Sequence, residues 1–492
     1  MRILISAAHF NEYDRMASQR PRALSEMLAQ RGHQVTVLTM ATPPKATAPY
    51  PPGVEVIETT PYDDTVLAPA TEIPITRRLL AGFSVLPSAP ATWVLERPRL
   101  AKVFGFSPEA AKQRFDELNG KRHRTASRTR AISEDRKWYR ESLHLVAEKL
   151  AGRETYDAVF ATYSSHGSVW LGEFLYSKGI ARNLIVDFRD LMDQPGPFLP
   201  IRMFQRRQQR KALRQADAVT VVSKGLRDNL LEDAQIKKHE QKIEVLHNGF
   251  LPRETNHATE RQLQELPLKI AYTGSLYRGR RDASALFLAV KTLKDSDDTP
   301  PIEVHYAGSS GPLFRDMAQA YGVDDTVIDH GLLPRDEALQ LQEEADLLLA
   351  LSWNEPDNRG VLSGKFPEYL GADKPIISIV MGSLPNAELT TLVRDLNLGI
   401  AVEESTQEED VLGLTSYLQN ALKAKSSGMP VPHNPVASEV EKFNYENLAK
   451  RLEEIIDGLA SQPHTANNPV ISEASRRHRR WLSQDARKGG HH

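Results

Sequence analysis

The chain has 492 residues, of which 40% are hydrophobic and 26% are charged, and its formal net charge is −2. This length predicts two or three domains, and the near-neutral charge gives no overall field that would select nucleic acid or a membrane. There is no cysteine, which excludes disulfides, zinc–thiolate sites and a cysteine nucleophile and is typical of a reducing compartment.

The N-terminus leads directly into a short apolar strand, which is too short for the core of a signal peptide. The run is Met1-Arg2-Ile3-Leu4-Ile5-Ser6. No apolar run approaches the roughly 18 residues that suggest a membrane span. We therefore expect a cytoplasmic protein that is at most peripheral at the inner membrane face.

Short runs rich in Val, Ile and Leu alternate with helical segments, which predicts a parallel sheet covered on both faces. The first helix is predicted over Pro21–Arg31 and ends at Gly32. The strands predicted in this first series are Arg2–Ala7, Gln34–Thr39, Val54–Glu58, Asp157–Thr162, Leu184–Asp187, Ala218–Val222 and Ile243–His247.

A polar linker over Asn256–Glu265 precedes a second series of strands, so two successive α/β domains are predicted, over 1–255 and 256–440. A ligand is expected between them, at the carboxyl ends of the strands. An amphipathic helix, Tyr445–Leu459, is expected to cross back within 441–460, and 461–492 is predicted to be a disordered basic tail. The second strands are Lys269–Thr273, Ile302–Ala307, Thr326–Ile328, Leu347–Leu351, Ile376–Val380 and Gly399–Val402.

An insertion over 62–150 interrupts the first domain. Between Arg77 and Arg140 there are 15 Lys/Arg against 6 Asp/Glu, a difference of 9, and apolar residues are mixed with them. One interpretation is a solvated helical insertion whose apolar residues form a small core. The other is peripheral membrane contact through 77–140. No nucleic-acid partner is expected, because the basic cluster lacks interleaved aromatic residues.

The segment from Ser363 to Ile377 is typical of a loop, a short helix, a tight turn and a buried strand. Small residues at Ser363 and Gly364 would let the free backbone N–H groups of the helix start approach an anion. Lys365 adds positive charge, and Glu368 lies one turn further on, within reach of a sugar hydroxyl. This would suit a diphosphate joined to a ribose. The alternative is a solvated Lys365 and a Glu368 that only favours the helix start.

The loop Tyr272–Asp282 follows the first strand of the second domain and carries two glycines and three arginines. Glycine lets a backbone approach a phosphate closely, and Arg offers donors matched to its oxygens. Diphosphate binding is favoured over a solvated loop, because a purely structural loop gains little from clustered like charges. The residues concerned are Gly274, Arg278, Gly279, Arg280 and Arg281.

These motifs, in this order, resemble the GT-B glycosyltransferases, in particular glycosyltransferase family 4, over roughly 1–60 and 155–460. The resemblance also rests on Ser18-Gln19-Arg20-Pro21 before Arg31-Gly32-His33, on Val186-Asp187-Phe188-Arg189-Asp190, on Ala216–Ser223, on His247-Asn248-Gly249-Phe250 and on Ala345–Leu351. It implies an α/β fold of two Rossmann-like domains that face a central cleft, with a basic helical insertion in the first.

The resemblance also implies an activity: retaining transfer of a sugar from a nucleoside-diphosphate sugar to an acceptor hydroxyl, in glycan or cell-surface polysaccharide biosynthesis. The acceptor would be a glycan, a lipid-linked molecule or a small molecule. Neither a metal nor a cofactor other than the donor is expected. The sugar, the base and the oligomeric state are not predicted.

By resemblance, Arg280 binds the donor phosphates and Glu368 binds the donor ribose. These two residues and Lys365 would carry catalysis. Two positions depart from the family: Ser275 replaces an Arg, and the first Glu of the paired-glutamate motif falls at Gly360. The turn at His330 and Gly331 would pack on the base, although for His330 itself a simple strand-to-helix turn is the preferred interpretation.

On the acceptor side, the resemblance points to Asp187, Arg189, Asp190 and His166. Arg189 pairing with either Asp as a structural latch, and a structural His166, are alternatives. The rival functions are a sugar-nucleotide epimerase of the same fold, a non-catalytic glycosyltransferase-like binding subunit, and a nucleic-acid-modifying transferase. Ser275 and Gly360 favour the non-catalytic subunit, whereas the retained Arg280, Lys365 and Glu368 oppose it.

Overall fold

The computed structural model describes residues 1–11, 16–41, 49–61, 108–150, 152–193, 199–251, 267–277, 279–295, 301–356 and 358–461. The predicted linker, the predicted tail after residue 461, the segment 62–107 of the insertion and Arg278 lie outside these residues. The chain forms two compact units: Met1–Tyr13, Gly32–Val219 and Gly458–His492, and Asp14–Arg31 with Thr220–Asp457. The domain boundaries given above stay a prediction.

The first sheet has the strand order β3-β2-β1-β4-β5-β6-β7 over the described residues. The pairs that surround β1 are parallel, with Ile3 opposite Val35 on one side and Ala158 on the other. Its strands are β1 (Arg2–Ser6), β2 (Gln34–Ala41), β3 (Val54–Pro61), β4 (Tyr156–Tyr163), β5 (Ala181–Phe188), β6 (Ala218–Val221) and β7 (Ile243–Val245).

The second sheet has the order β10-β9-β8-β11-β12-β13, and all of its pairs are parallel. Its Val, Ile and Leu side chains are buried on both faces, as expected for strands covered by helices. The strands are β8 (Leu268–Thr273), β9 (Ile302–Ala307), β10 (Val327–Asp329), β11 (Leu347–Trp353), β12 (Ile376–Met381) and β13 (Gly399–Glu403). The predicted fold class is therefore confirmed.

Helices connect these strands, as in other parallel sheets. They are α1 (Met16–Gln30), α2 (Pro108–Leu150), α3 (His166–Ser177), α4 (Leu199–Gln215), α5 (Lys224–Leu231), α6 (Ala234–Lys237), α7 (Ser284–Lys294), α8 (Gly311–Gln319), α9 (Arg335–Glu344), α10 (Lys365–Gly371), α11 (Glu388–Asp395), α12 (Gln407–Ser426), α13 (Ala437–Val440) and α14 (Tyr445–Ser461). Short 3-10 turns occur at Glu240–Lys242, Asp324–Thr326, Glu404–Thr406 and Glu441–Phe443.

Two boundaries differ from the prediction near a buried arginine. Arg20 is fully buried, and its guanidinium donates to the carbonyl oxygens of Leu246 and His247. Helix α1 begins at Met16 and continues through Pro21, so proline lies inside the helix and not at its start. Strand β7 ends at Val245 and not at His247, although the N–H of Leu246 still donates to the carbonyl oxygen of Val221.

The described end of the insertion packs against the first unit. Trp138 of α2 is buried, and its indole donates to Thr59 at the end of β3. Asp135 on the same helix accepts from the backbone N–H of His166 at 2.8 Å. This part of α2 therefore contributes to the core, whereas contact of 77–140 with a membrane stays a prediction.

A buried ion pair ties α12 to β11 in the second unit. Lys425 Nζ lies 2.8 and 2.9 Å from the carboxylate oxygens of Asp346, and both side chains are almost fully buried. Lys425→Met would leave a buried carboxylate without its cation, so we expect the free energy of unfolding to fall by about 3–5 kcal/mol. Urea unfolding of this variant measures the change.

The exposed Lys423→Met on the same helix is the matched control and should change little. The double variant Asp346→Asn/Lys425→Met should recover part of the loss, because the buried charge is removed with its partner. Equal losses of stability in Lys425→Met and Lys423→Met would contradict the buried ion pair.

Candidate functional site

The second sheet contains a point at which the strand order reverses. The chain runs outward from β8 to β9 and β10 on one side of the sheet. It then returns to β11, beside β8, and runs outward to β12 and β13 on the other side. In open parallel sheets, ligands bind outside the carboxyl ends of the strands at such a point. The loop after β8 and the segment between β11 and α10 therefore flank the candidate donor site.

A buried carboxylate lies at the start of α10. Glu368 is 5% exposed and accepts hydrogen bonds from Arg335 at 2.8 Å and from Lys365 at 3.0 Å. Lys365 is thus an ion-pair partner of Glu368 and not a solvated side chain. Burial pushes the pKa of Glu368 upward, but the charges of Lys365 and Arg335 outweigh burial and hold the pKa below its usual value. Glu368 is therefore ionised at neutral pH.

The Glu368 cluster is connected to the end of β8. Gln342 Nε2 lies 3.5 Å from Glu368 Oε2 and donates to Thr273 Oγ1 at 2.9 Å. The backbone N–H of Thr273 donates to the hydroxyl of Tyr369 at 3.3 Å. Sequence reasoning missed Arg335, Gln342 and Tyr369. The signal available for Arg335 is its place directly after the turn His330–Pro334.

A residue in the first turns of α1 also reaches this cluster. With its amide oxygen facing α9, Gln19 accepts from Arg335 at 2.5 and 3.2 Å. The second unit thus contains a chain of contacts from Gln19 through Arg335 and Glu368 to Lys365. Because Arg335 contacts both Gln19 and Glu368, it links α1 to the buried carboxylate.

The loop after β8 places two arginines on one indole ring. The guanidinium carbons of Arg280 and Arg281 lie 5.2 and 5.5 Å from the ring centre of Trp353, at the end of β11. Arg281 also lies 4.6 Å from the ring of Tyr277 and donates to the carbonyl oxygen of Ser275 at 2.9 Å. Among the described residues, the buried donors Trp353 Nε1 and Arg281 Nε have no acceptor. An anion at this point would supply one.

The remaining predicted loop residues of the second unit follow β8 or precede α10. Gly274 directly follows β8, and the Ser275 hydroxyl is 3.4 Å from that of Ser309. Ser363 accepts from the backbone N–H of Phe366, and Gly364 precedes α10 without a side-chain cap. Their predicted contacts with a donor stay predictions.

The turn after β10 is engaged within the protein. His330 Nε2 lies 3.0 Å from His305 Nδ1, and the two rings are stacked. Burial lowers the pKa of His305. Gly331 has a φ of 65°, and its carbonyl oxygen accepts from the N–H of Gly308. These contacts explain the turn structurally, and packing of a base on it stays a prediction.

Backbone packing occupies the position of the absent first glutamate. Gly360 has a φ of 60°, and a Cβ added there would lie 2.3 Å from the Cα of Gly225, at the start of α5. The backbone N–H groups of Lys224 and Gly225 donate to the carboxylate of Glu388 at 2.8 and 2.7 Å. Glu355 forms a bridge with Asn358 on a neighbouring turn. A side chain at position 360 is therefore excluded in this conformation.

The predicted acceptor residues lie in the first unit, at or just beyond the carboxyl ends of β4 and β5. Asp187 is fully buried and accepts from Thr162 Oγ1 at 2.8 Å, and Arg189 and the exposed Asp190 follow it. His166 starts α3, and its ring packs edge-on against Tyr163. Its Nε2 is buried and has no hydrogen-bond partner in the described part of the chain.

Two features are absent from the part of the chain that the structure describes. Its residues contain no group of three His, Asp or Glu arranged to hold a metal ion. None of their helices combines the length and the apolar character needed to cross a bilayer. Independence from metal stays a prediction.

Residues 17–249 match the family model of the Glycosyl transferase 4-like domain. No curated protein sequence matches the chain. The predicted resemblance to glycosyltransferases is confirmed, and the match supports a glycosyltransferase function in general.

The fold is similar to several solved structures. Sucrose-phosphate synthase from Thermosynechococcus elongatus aligns with a TM-score of 0.51 at 16% identity, over 94% of this chain and 99% of that chain. The catalytic domain of starch synthase IV from Arabidopsis thaliana, bound to ADP and acarbose, gives 0.54 at 13% identity, over 94% and 99%. A glycosyltransferase from Rickettsia africae gives 0.50 at 14% identity, over 94% and 99%. The chain therefore has the GT-B fold.

The contact between Gly225 and Gly360 predicts the effect of a single methyl group. We expect Gly225→Ala to lower the free energy of unfolding by about 1–3 kcal/mol, because backbone atoms must move to admit the Cβ. Gly458→Ala on α14, where an added Cβ meets open space, is the control and should be neutral or stabilising. Urea unfolding compares the two, and an unaffected Gly225→Ala would rule out the close packing.

The cluster around Glu368 predicts a dependence of stability on pH. Arg335→Met should cost about 1–3 kcal/mol of unfolding free energy at pH 7, because it removes one cation from a buried carboxylate. The folded-state pKa of Glu368 is below its unfolded value of about 4.3, so its contribution is complete above that value. The difference between wild type and variant should shrink as the pH falls through the folded-state pKa. A difference that stays constant from pH 7 to pH 3 would refute the electrostatic role.

Proposed function

We propose that this chain is a retaining glycosyltransferase that moves a sugar from a nucleoside-diphosphate sugar to an acceptor hydroxyl. The carrying observation is the pair of buried donors, Trp353 Nε1 and Arg281 Nε, that lack an acceptor beside Arg280. They lie where the strand order of the second sheet reverses. A diphosphate has the charge and the acceptor oxygens that this group of donors requires.

The chemical role of these residues follows from the charge that develops during transfer. The bond between the anomeric carbon and the phosphate oxygen breaks, and negative charge accumulates on the diphosphate. Arg280 and Lys365, with the N–H groups at the start of α10, would stabilise this charge. An ammonium group has three donors, so Lys365 can hold Glu368 and a phosphate oxygen together.

For retention of configuration, the acceptor must attack the anomeric carbon on the same face from which the leaving group departs. In the proposed reaction, the acceptor oxygen bonds to the anomeric carbon, and its proton passes to an oxygen of the departing diphosphate. Glu368 would accept a hydrogen bond from a ribose hydroxyl and share its carboxylate with Arg335. The donor and the acceptor are the only small molecules that this scheme needs.

The acceptor would contact residues of the first unit. We include His166 because its buried Nε2 has no partner within the described part of the chain, so an acceptor hydroxyl would satisfy it. Arg189 and Asp190 follow β5 at the same carboxyl edge of the sheet. We further propose a cytoplasmic location and a role in the synthesis of glycans or cell-surface polysaccharides.

One observation favours a second candidate, a non-catalytic subunit that binds a nucleotide-sugar or a partner. The position of the first family glutamate is closed by the contact of Gly360 with Gly225. A sugar ring would then lack one of its holding groups. The retained Glu368, Lys365 and Arg280 oppose this candidate, and turnover distinguishes the two.

Calorimetry with UDP-, GDP-, ADP- and TDP-sugars tests the donor site. We expect one donor class to bind the wild type, and Arg280→Ala to weaken binding at least about tenfold, because a charge-assisted hydrogen bond contributes about 1.5–3 kcal/mol. Trp353→Phe keeps an aromatic ring for the two arginines but removes the orphaned N–H, so it should weaken donor binding while the protein stays folded.

Lys291→Ala, an exposed cation on α7, is the control and should bind the donor normally. A folded wild type that binds none of the donors would overturn the proposed function. Donor binding without transfer or hydrolysis of the sugar would support the non-catalytic subunit.

A further inference from the structure

Helix α4 exposes two large apolar side chains one turn apart. Leu199 is 64% exposed and Met203 is 63% exposed. The opposite face of the helix is buried and includes two glutamines, Gln205 and Gln209. Gln209 Oε1 accepts from the backbone N–H of Met192 at 2.9 Å. The helix therefore packs through a partly polar face and presents Leu199 and Met203 outward, which is the reverse of the usual amphipathic arrangement.

The charges of α4 all have one sign. The helix contains six Lys and Arg and no Asp or Glu: Arg202, Arg206, Arg207, Arg210, Lys211 and Arg214. Three of these are balanced from outside the helix, since Arg202 and Arg206 lie 3.4 and 3.3 Å from Asp193, and Lys211 contacts Glu173. Arg207 and Arg214 are exposed. At helical spacing, they continue the stripe that Leu199 and Met203 begin.

Helix α2 adds a cation to the same surface. The guanidinium carbon of Arg136 lies 5.3 Å from the ring centre of Phe204, which is adjacent to Met203 in α4. Arg136 is itself exposed. The surface thus combines an apolar pair with cations from two helices of the first unit.

We infer that the surface formed by Leu199, Met203, Arg207, Arg214 and Arg136 docks on an anionic lipid bilayer. The apolar pair would enter the boundary between headgroups and acyl chains, and the arginines would contact lipid phosphates. A nucleic acid would match the cations but would leave Leu199 and Met203 in water. The boundary of an anionic bilayer accommodates both features, with acyl chains for the apolar pair and phosphates for the cations.

This inference deepens the proposed function, because a transferase held on a bilayer would meet a lipid-linked acceptor. It does not depend on the donor site, since vesicle binding is measured without nucleotide-sugar. The α4 surface is also separate from the basic segment that the sequence suggested for membrane contact, apart from Arg136.

Flotation of the full chain with vesicles tests the inference. We expect binding to vesicles of equal phosphatidylcholine and phosphatidylglycerol, weak binding to phosphatidylcholine alone, and loss of binding as salt increases. Leu199→Ser/Met203→Ser should reduce binding at least tenfold. Arg207→Gln and Arg214→Gln should each reduce it about fivefold, since each cation near an anionic surface contributes about 1 kcal/mol.

Leu332→Ser/Met429→Ser is the matched control, because these side chains are 81% and 59% exposed in the second unit. It should bind vesicles as the wild type does, and circular dichroism confirms that every variant is folded. The inference is overturned by any of three results: no binding to anionic vesicles, equal loss in the control, or unchanged vesicle binding after Leu199→Ser/Met203→Ser. Wild-type binding to duplex DNA with no binding to vesicles would assign the surface to nucleic acid instead.

Discussion

The candidate donor site depends on the ionisation of one buried carboxylate. Glu368 is shielded from water, which by itself would favour its neutral form, yet Arg335 and Lys365 keep it charged. A neutral Glu368 would no longer hold Lys365 at the start of α10, and Arg335 would lose its link between Gln19 and the second sheet. Because a buried carboxylate is stable only with its partners, the three side chains act as one unit.

The contact between Gly225 and Gly360 constrains another part of the second compact unit. It brings two backbones together without side chains, and Glu388 satisfies the N–H groups at the start of α5 that would otherwise be free to bind an anion. Burial raises the pKa of Glu388, against the hydrogen bonds from Gly225 and Lys224. In this conformation no side chain fits at position 360, where the chain passes Gly225.

The sequence predicted the sheets well, because buried strands have a clear pattern: every predicted strand exists, including Gly399–Val402, with ends shifted by up to three residues. It did not predict the role of Arg20. This buried arginine donates to a carbonyl group just after β7, far along the chain, so no local pattern in the sequence indicates it. Lys365 and Glu368 were found because they share one turn. Arg335 was missed because it is 33 positions from Glu368, and an arginine in the first turn of a helix is ordinarily solvated.

The cations of the candidate donor site therefore fall into two groups with different consequences. Lys365 and Arg335 both pair with Glu368, so this cluster has a fixed geometry and keeps one net positive charge. Arg280 and Arg281 share the ring of Trp353, and no carboxylate of the described residues pairs with either. A cation–π contact contributes about 0.5–1 kcal/mol at an exposed site, but two like charges on one ring repel each other. An anion that binds both would convert this repulsion into attraction, so the loop after β8 would recognise the charge of a diphosphate together with Lys365.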